Sequence, residues 1–346
     1  MAAPPALPWR APPYTANVVR ALARSTGAIT ALNARISASP VASSWHVRAA
    51  WSGFAVALQL QGIEIDEIDV FSWGCGLRLP DRRPIGTHLN PFDAFDGWRH
   101  ALVTWDLAGW RDALPTSIGE FAESREHPPL IRALDLVRQY ARIDRTMTPW
   151  LHMPVMLCGL GLTNVPLPCL AGGVKAFRMK HTPADTDWAA AFNALSRAAD
   201  SGLERLDALE QLHRQGLVAL LNAYRAGALP RLLALSLARP LLSPQSVADA
   251  LDLSVAGASK LLDRAAEAEL LVEITRRKTW RQFLTPDLAA LFGFARPKRG
   301  RPRTTPPALP VSKDLAGVLE AFDREMAEID RQLGTRSLGS GPTSGC

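Results

Sequence analysis

Two patterns in this chain have residue types suited to catalysis or cofactor binding. Glu64, Asp66, Glu67 and Asp69 are acids close enough in sequence to surround a metal ion. Residues 159–164, "GLGLTN", carry two of the three glycines of a dinucleotide-binding loop. A solvated acidic edge accounts for the first pattern. The second lacks the glycine that lets a helix pack tightly against its strand. The seven histidines, His46, His100 and His152 among them, are scattered. There is no G-x-S-x-G, no P-loop and no H-E-x-x-H. The sequence therefore predicts no catalytic residue, no metal site and no cofactor. What its residues do support is the binding of a polyanion. Between Ile274 and Arg303 stand nine Lys/Arg against one acid, Asp287, a net of +8, which leaves about −2 for the rest of a chain of net charge +6. A cationic excess confined to one end points to a local anionic partner.

The elements that would present those charges begin just upstream. In "SVADALDLSVAGASKLLDRA", residues 246–265, two short amphipathic segments meet at Leu251-Asp252-Leu253-Ser254. Ser243-Pro244 opens the first helix, serine as cap and proline at the first helical position. Val247, Ala248 and Leu251 form its inner face. Asp252 tolerates the left-handed conformation a tight turn requires. Ser254 caps the second helix, with Ala258, Leu261, Leu262 and Ala265 inward. A small residue, Ala248, four positions before the turn lets the helices cross closely, and Leu253 pins the corner. This is helix-turn-helix spacing. "AEAELLVEITRRKTWRQFLTP" then reads as a helix end, a strand (Leu271–Ile274), a basic turn (Thr275–Lys278) and a returning strand (Thr279–Leu284), the wing of a winged helix.

On this reading Ser254, Val255, Ala256, Ser259, Lys260 and Arg264 lie on the outer face of the second helix, with Asp263 beside them. The small residues admit the backbone to a major groove, and Ser259 and Lys260 reach base edges or phosphates. Arg276, Arg277, Lys278 and Arg281 on the wing neutralise flanking phosphates. Further on, "RPKRGRPR" places Lys298, Arg299, Arg301 and Arg303 around a Gly-Arg-Pro core. It resembles the AT-hook, in which an extended basic strand lies in a narrow minor groove. A plain phosphate-binding linker is the competing reading, and it too binds DNA.

The predicted fold class is mainly α: a helical N-terminal domain plus a C-terminal winged helix-turn-helix with a small β-hairpin wing. Residues 1–14 read as a disordered proline-rich lead, 15–180 as the helical domain, 184–230 as long connecting helices and 231–292 as the winged helix. Residues 293–312 follow as the AT-hook-like linker, 313–334 as a short helix and 335–346 as a disordered tail. Val18, Leu22, Ile29, Leu32 and Ile36 recur at helical spacing, as do Trp45, Trp51, Phe54 and Leu58. "IEIDEIDVF" alternates like a connector or short strand, and 151–173 is punctuated by Gly and Pro. Gly202 and Gly216 are candidate breaks in the 184–226 helical tract. Cys75, Cys158, Cys169 and Cys346 have neither disulfide nor zinc spacing. The apolar runs 151–173 and 216–238 are interrupted by prolines and arginines, and the start "MAAPPALPWRAPPY" lacks the apolar segment of a secretory leader. These features predict a soluble, cytoplasmic, nucleoid-associated protein with no membrane partner.

"LNARISASPVASSWHVRAAWSGFAVALQLQGIEIDEIDVF" (32–71), "LPCLAGGVKAFR" (167–178) and the 243–285 segment together resemble a bacterial family with an N-terminal domain of unknown function and a C-terminal helix-turn-helix, plasmid-borne in many soil bacteria. The layout is also similar to Fic-family proteins. "HLNPFDAFDGWR" (88–99) departs from the motif that defines Fic activity: Asn90 precedes Pro91-Phe92, Asp96 comes too late, and Trp98 replaces the phosphate-holding turn. The expected function is duplex DNA binding by a transcriptional regulator or plasmid-maintenance factor acting as a homodimer. A divergent Fic-like nucleotidyl-transfer protein and a winged-helix protein–protein adaptor are the alternatives.

Overall fold

A computed structural model describes residues 12–63, 65–77, 92–104, 109–112, 114–115, 127–172, 182–222, 226–275, 280–295 and 324. The expected lead 1–14 is outside this set up to residue 11, as are the segments 293–312 and 313–334 beyond Ala295, apart from Arg324, and all of 335–346. The chain divides into a unit Met1–Arg296 and a unit Pro297–Cys346. In the second, only Arg324 is described, and it is helical.

The described part is mainly helical, with a small three-stranded sheet. In chain order the helices are α1 (Ala16–Ala38), α2 (Ala42–Gln61), α3 (Glu67–Gly74), α4 (Phe95–Thr104), α5 (Pro129–Ile143) and α6 (Thr148–Gly159), followed by a 3-10 turn (Pro168–Leu170). Next come α7 (Asp185–Asn222), α8 (Leu229–Ala238), β1 (Leu241–Leu242), α9 (Pro244–Leu251), α10 (Val255–Glu267), β2 (Val272–Glu273), β3 (Phe283–Leu284) and α11 (Pro286–Leu291).

The N-terminal helices obey the expected periodicity. Val18, Ile29, Leu32 and Ile36 of α1 are buried and lie against α7. Three sequence expectations are corrected. "IEIDEIDVF" is a helix from Glu67 onward, because Asp66 and Asp69 form a capping box and Ile68, Val70 and Phe71 are buried. The punctuated stretch after Thr148 is helical to Gly159, with Pro154 inside the helix. The third correction concerns α7, which runs unbroken through Gly202 and Gly216. Those glycines mark close approaches instead: a Cβ at Gly202 would stand 3.0 Å from Leu32 and from Cys169, and one at Gly216 3.0 Å from Leu233. At the first of them the Trp45 indole N–H donates to the Gly202 carbonyl at 2.8 Å.

Three apolar clusters hold the unit together, and each joins two of the segments that the sequence separates. The largest packs α1, α5 and α6 onto α7 through Trp150, Trp188 and Phe192. The second packs α2, α3 and α4 against Leu241, Leu284, Leu288 and Ala289. The third joins Leu212, Leu229 and Leu232 to the inner faces of α9 and α10 and to Leu242 and Phe283. The sheet, in order β1-β3-β2 and antiparallel throughout, is the wall between the last two. Successive strand residues face opposite sides. Leu241 and its partner Leu284 therefore enter the N-terminal core, while Leu242 and its partner Phe283 enter the core beneath α9 and α10.

A buried arginine reinforces that wall. Arg48 on α2 donates to the carbonyls of Ser236 and Leu237 at the end of α8, both at 2.9 Å, and to the Asp287 carboxylate of α11, also at 2.9 Å. Burial pulls its pKa down, against the neighbouring Asp287 charge. Arg48 thus ties α8 and α11 to α2. Among the described residues no helix is long and apolar enough to cross a membrane.

Candidate nucleic-acid interface

The α9–α10 corner is built as its residues dictate. Ser243 accepts from the Ser246 N–H at 3.1 Å, and Ser246 Oγ accepts from the Ser243 N–H at 2.8 Å, a reciprocal cap, with Pro244 at the first helical position. Asp252 ends the helix at φ 54°, ψ 56°, in the left-handed region. The Leu253 N–H then closes back onto the Ala248 carbonyl at 3.0 Å. Ser254 Oγ accepts from the Gly257 N–H at 3.1 Å and opens α10. Val247, Ala248, Leu251, Ala258, Leu261, Leu262 and Ala265 are all buried. The side chains expected inward are inward.

The opposite face of α10 is open. Ser254, Val255, Ala256, Lys260 and Arg264 are exposed, Val255 at 47%, and Ser259 is half-buried. α10 has 13 residues; at 1.5 Å per residue its axis is roughly 20 Å long, a length that fits a major groove. Its first turn presents backbone N–H groups outside the helical ladder next to small side chains, the arrangement that favours a close-lying anion.

Beside it the hairpin is shorter than the sequence predicts. The paired strand residues are Val272–Glu273 and Phe283–Leu284; Leu271, Ile274 and residues 280–282 of the expected strands are not strand, and Thr279 lies outside the described residues. Two further bonds continue toward the tip: Ile274 N–H to the Gln282 carbonyl at 2.9 Å, and Gln282 N–H to Thr275 Oγ1 at 3.1 Å. Arg276, Arg277 and Lys278 lie outside the described residues, as do Lys298, Arg299, Arg301 and Arg303.

Arg281 is placed differently from the expectation that it serves a phosphate. Its guanidinium donates to Asp263 of α10 at 2.6 Å and to Glu273 of β2 at 2.7 Å, reaches Ser259 Oγ at 3.4 Å, and lies over the Phe283 ring at 4.9 Å. Hydrogen bonds to Glu273 and Asp263 raise its pKa further. Two carboxylates neutralise this charge, so the residue ties the hairpin arm to the helix. The sequence offered only weak signals for that role, because its partners stand 18 and 8 positions away. Trp280, next to it, is absent from the site residues that the sequence predicts. It is 87% exposed, at φ 61°.

The catalytic candidates find structural employment. Asp66 and Asp69 cap α3, and Glu67 accepts from Arg205 at 2.9 Å while also meeting Ser52. Glu64 lies outside the described residues, and among those described no cluster of His, Cys, Asp and Glu could hold a metal. "GLGLTN" is a helix end: Gly161 at φ 81° follows α6, and the Leu162 N–H returns to the Leu157 carbonyl. A dinucleotide loop must instead open a helix. In the Fic-like stretch, 88–91 are outside the described residues, Asp96 is exposed beside Arg99, and the buried Trp98 donates to the Leu151 carbonyl at 2.7 Å. His152 bonds the Thr148 carbonyl, His100 is exposed, and burial lowers the His46 pKa. Desolvation pushes the Cys75 and Cys158 thiols up to about 11 and Cys169 to about 12. Burial thus favours the protonated thiol at all three. No family model and no curated protein matches this chain.

Proposed function

We propose that this protein is a winged helix-turn-helix DNA-binding protein, a transcriptional regulator or plasmid-maintenance factor associated with the nucleoid, in keeping with the bacterial helix-turn-helix family it resembles. α10 enters the major groove, and the segment between β2 and β3, whose sequence carries Arg276, Arg277 and Lys278, contacts flanking phosphates. The observation that carries the reading is the open, small-residue face of a well-capped α10, tied to the neighbouring hairpin arm through Arg281. Base contact falls to Ser259 and Lys260, and backbone contact to the α10 N-terminus, Arg264 and the basic residues Arg276, Arg277 and Lys278. The basic run Lys298–Arg303 adds a minor-groove or phosphate contact.

A homodimer suits this role, since two-fold symmetry matches paired half-sites. Leu217, Val218 and Leu221, exposed at 48%, 52% and 86% near the end of α7, support that part of the reading.

A gel shift on genomic fragments across a salt series tests the proposal. The wild-type chain retards a subset of fragments, with affinity falling steeply as salt rises. Changing Arg276, Arg277 and Lys278 to alanine reduces the slope of log K against log salt by roughly 0.9 for each phosphate that is no longer neutralised. An unchanged slope removes the hairpin from the interface.

A further inference from the structure

We propose that residues 281–287 form a strap coupling α2 of the N-terminal body to α10, so that release of Asp287 from Arg48 at one end loosens the hold of Arg281 on α10 at the other. This device goes beyond the DNA-binding reading and holds whatever α10 contacts. Both ends of the strap are fastened by charge. At one end Arg48, 4% exposed, donates to Asp287 Oδ2 at 2.9 Å. Asp287 Oδ1 is buried without a hydrogen-bond partner, so Arg48 is what holds this carboxylate among the described residues. Arg205 of α7, which donates to Glu67 of α3 at 2.9 Å, adds its field to the same carboxylate. At the other end Arg281 donates to Asp263 of α10 at 2.6 Å and to Glu273 of β2 at 2.7 Å.

Between the two ends the chain has no slack. The Gln282 carbonyl accepts from the Ile274 N–H at 2.9 Å, and the Gln282 N–H donates to Thr275 Oγ1 at 3.1 Å. Phe283 is buried in the core beneath α9 and α10, with the Arg281 guanidinium 4.9 Å from its ring centre. Leu284 is buried in the opposite core, against α2, α3 and α4. The Thr285 N–H donates to the Pro240 carbonyl at 3.2 Å, and Pro286, with its fixed φ, leads directly into Asp287. From Arg281 to Asp287 the chain spans at most roughly 20 Å. Close-packed interiors transmit strain, and they shift between discrete arrangements instead of stretching. A displacement of Asp287 therefore moves β3, and β3 carries the Arg281 guanidinium away from Asp263.

Native-state hydrogen exchange on the full-length chain tests the strap, with Asp287→Asn, Asp263→Asn and the double variant. Asparagine keeps the shape of each side chain and removes its charge. Exchange is read relative to the amides of α1, which lie outside the strap. In Asp287→Asn, the α10 amides from Leu261 to Arg264 and the Ile274 N–H should exchange about fivefold faster or more. In Asp263→Asn the acceleration should reappear at Thr285 and Ala289, because coupling between two sites is reciprocal. Independent sites multiply their effects to within about twofold, whereas the double variant should fall short of that product by about fivefold. Acceleration confined to α8 and α11 in Asp287→Asn overturns the proposal. So does an equal acceleration through α1, which marks general destabilisation, or a double variant that matches the product. Should Asp287→Asn fail to fold, Asp263→Asn decides alone, since Asp263 is 44% exposed and its loss leaves the cores intact: unchanged exchange at Thr285 and Ala289 then overturns the strap. No DNA enters the measurement, so its failure leaves the DNA-binding reading standing.

Discussion

Helices α2 and α10 are both rich in small residues, yet they use them in opposite ways. In α2, Ala49, Ala50, Ser52, Gly53, Ala55 and Ala57 are all buried. A Cβ at Gly53 would overlap the Pro168 carbonyl of the 3-10 turn. Those side chains are small because another part of the chain lies on them. In α10, Val255 and Ala256 face solvent, and a Cβ at Gly257 would meet only Ser254 Oγ, at 3.1 Å. Nothing within the described residues requires smallness there. The cationic side chains divide in the same way: Arg48 on α2 is buried and bonded at each nitrogen, whereas Lys260 on α10 is exposed. Among the described residues nothing covers that small-residue face, as the proposed DNA contact requires.

Four substitutions break or sharpen that contrast. The largest effect on stability should come from Arg48→Ala. It leaves the part-buried Asp287 and the carbonyls of Ser236 and Leu237 without their donor, and breaking a buried pair costs about 3–5 kcal/mol. Chemical denaturation reads this as a lowered midpoint. Gly53→Ala comes next, at about 1–3 kcal/mol, because the obstructing atom is backbone and cannot swing aside. A Gly53→Ala protein as stable as wild type would show that α2 is not pressed against the turn. Ser254→Ala should cost about 1 kcal/mol by removing the cap on Gly257 N–H. Ala256→Glu should shift stability by no more than about 0.5 kcal/mol, being exposed, yet should strongly weaken DNA binding by placing an anion against phosphates. Equal DNA affinity in Ala256→Glu and wild type would equate the two helices and end the contrast.

The regions also differ in how far they could be read from residues alone. The α9–α10 corner depends on determinants within a few positions of one another: Ser243-Pro244, Ser254, an aspartate able to turn left-handed, and apolar residues at helical spacing. All of these were legible. The α3 helix was not. The alternation of "IEIDEID" resembles a strand, and only packing of Ile68, Val70 and Phe71 against the second core makes the helical period prevail. Gly202 and Gly216 look like helix breakers until α1 and α8 come to rest against them, a long-range fact. Arg281 reads as one more cation in a basic run, since the carboxylates that claim it arrive only when the hairpin folds onto α10. For Trp280, residue type predicts burial, and only the folded hairpin reveals exposure.

The central claim is that the open face of α10 reads base pairs. Selecting bound fragments from random duplex DNA, in parallel for the wild type and a Ser259→Ala/Lys260→Ala variant, tests it most directly. The account predicts that the wild type enriches one defined motif and that the variant loses preference at particular positions of it while retaining salt-dependent, sequence-independent affinity. Enrichment of an identical motif by both proteins, or of none by the wild type, would contradict it.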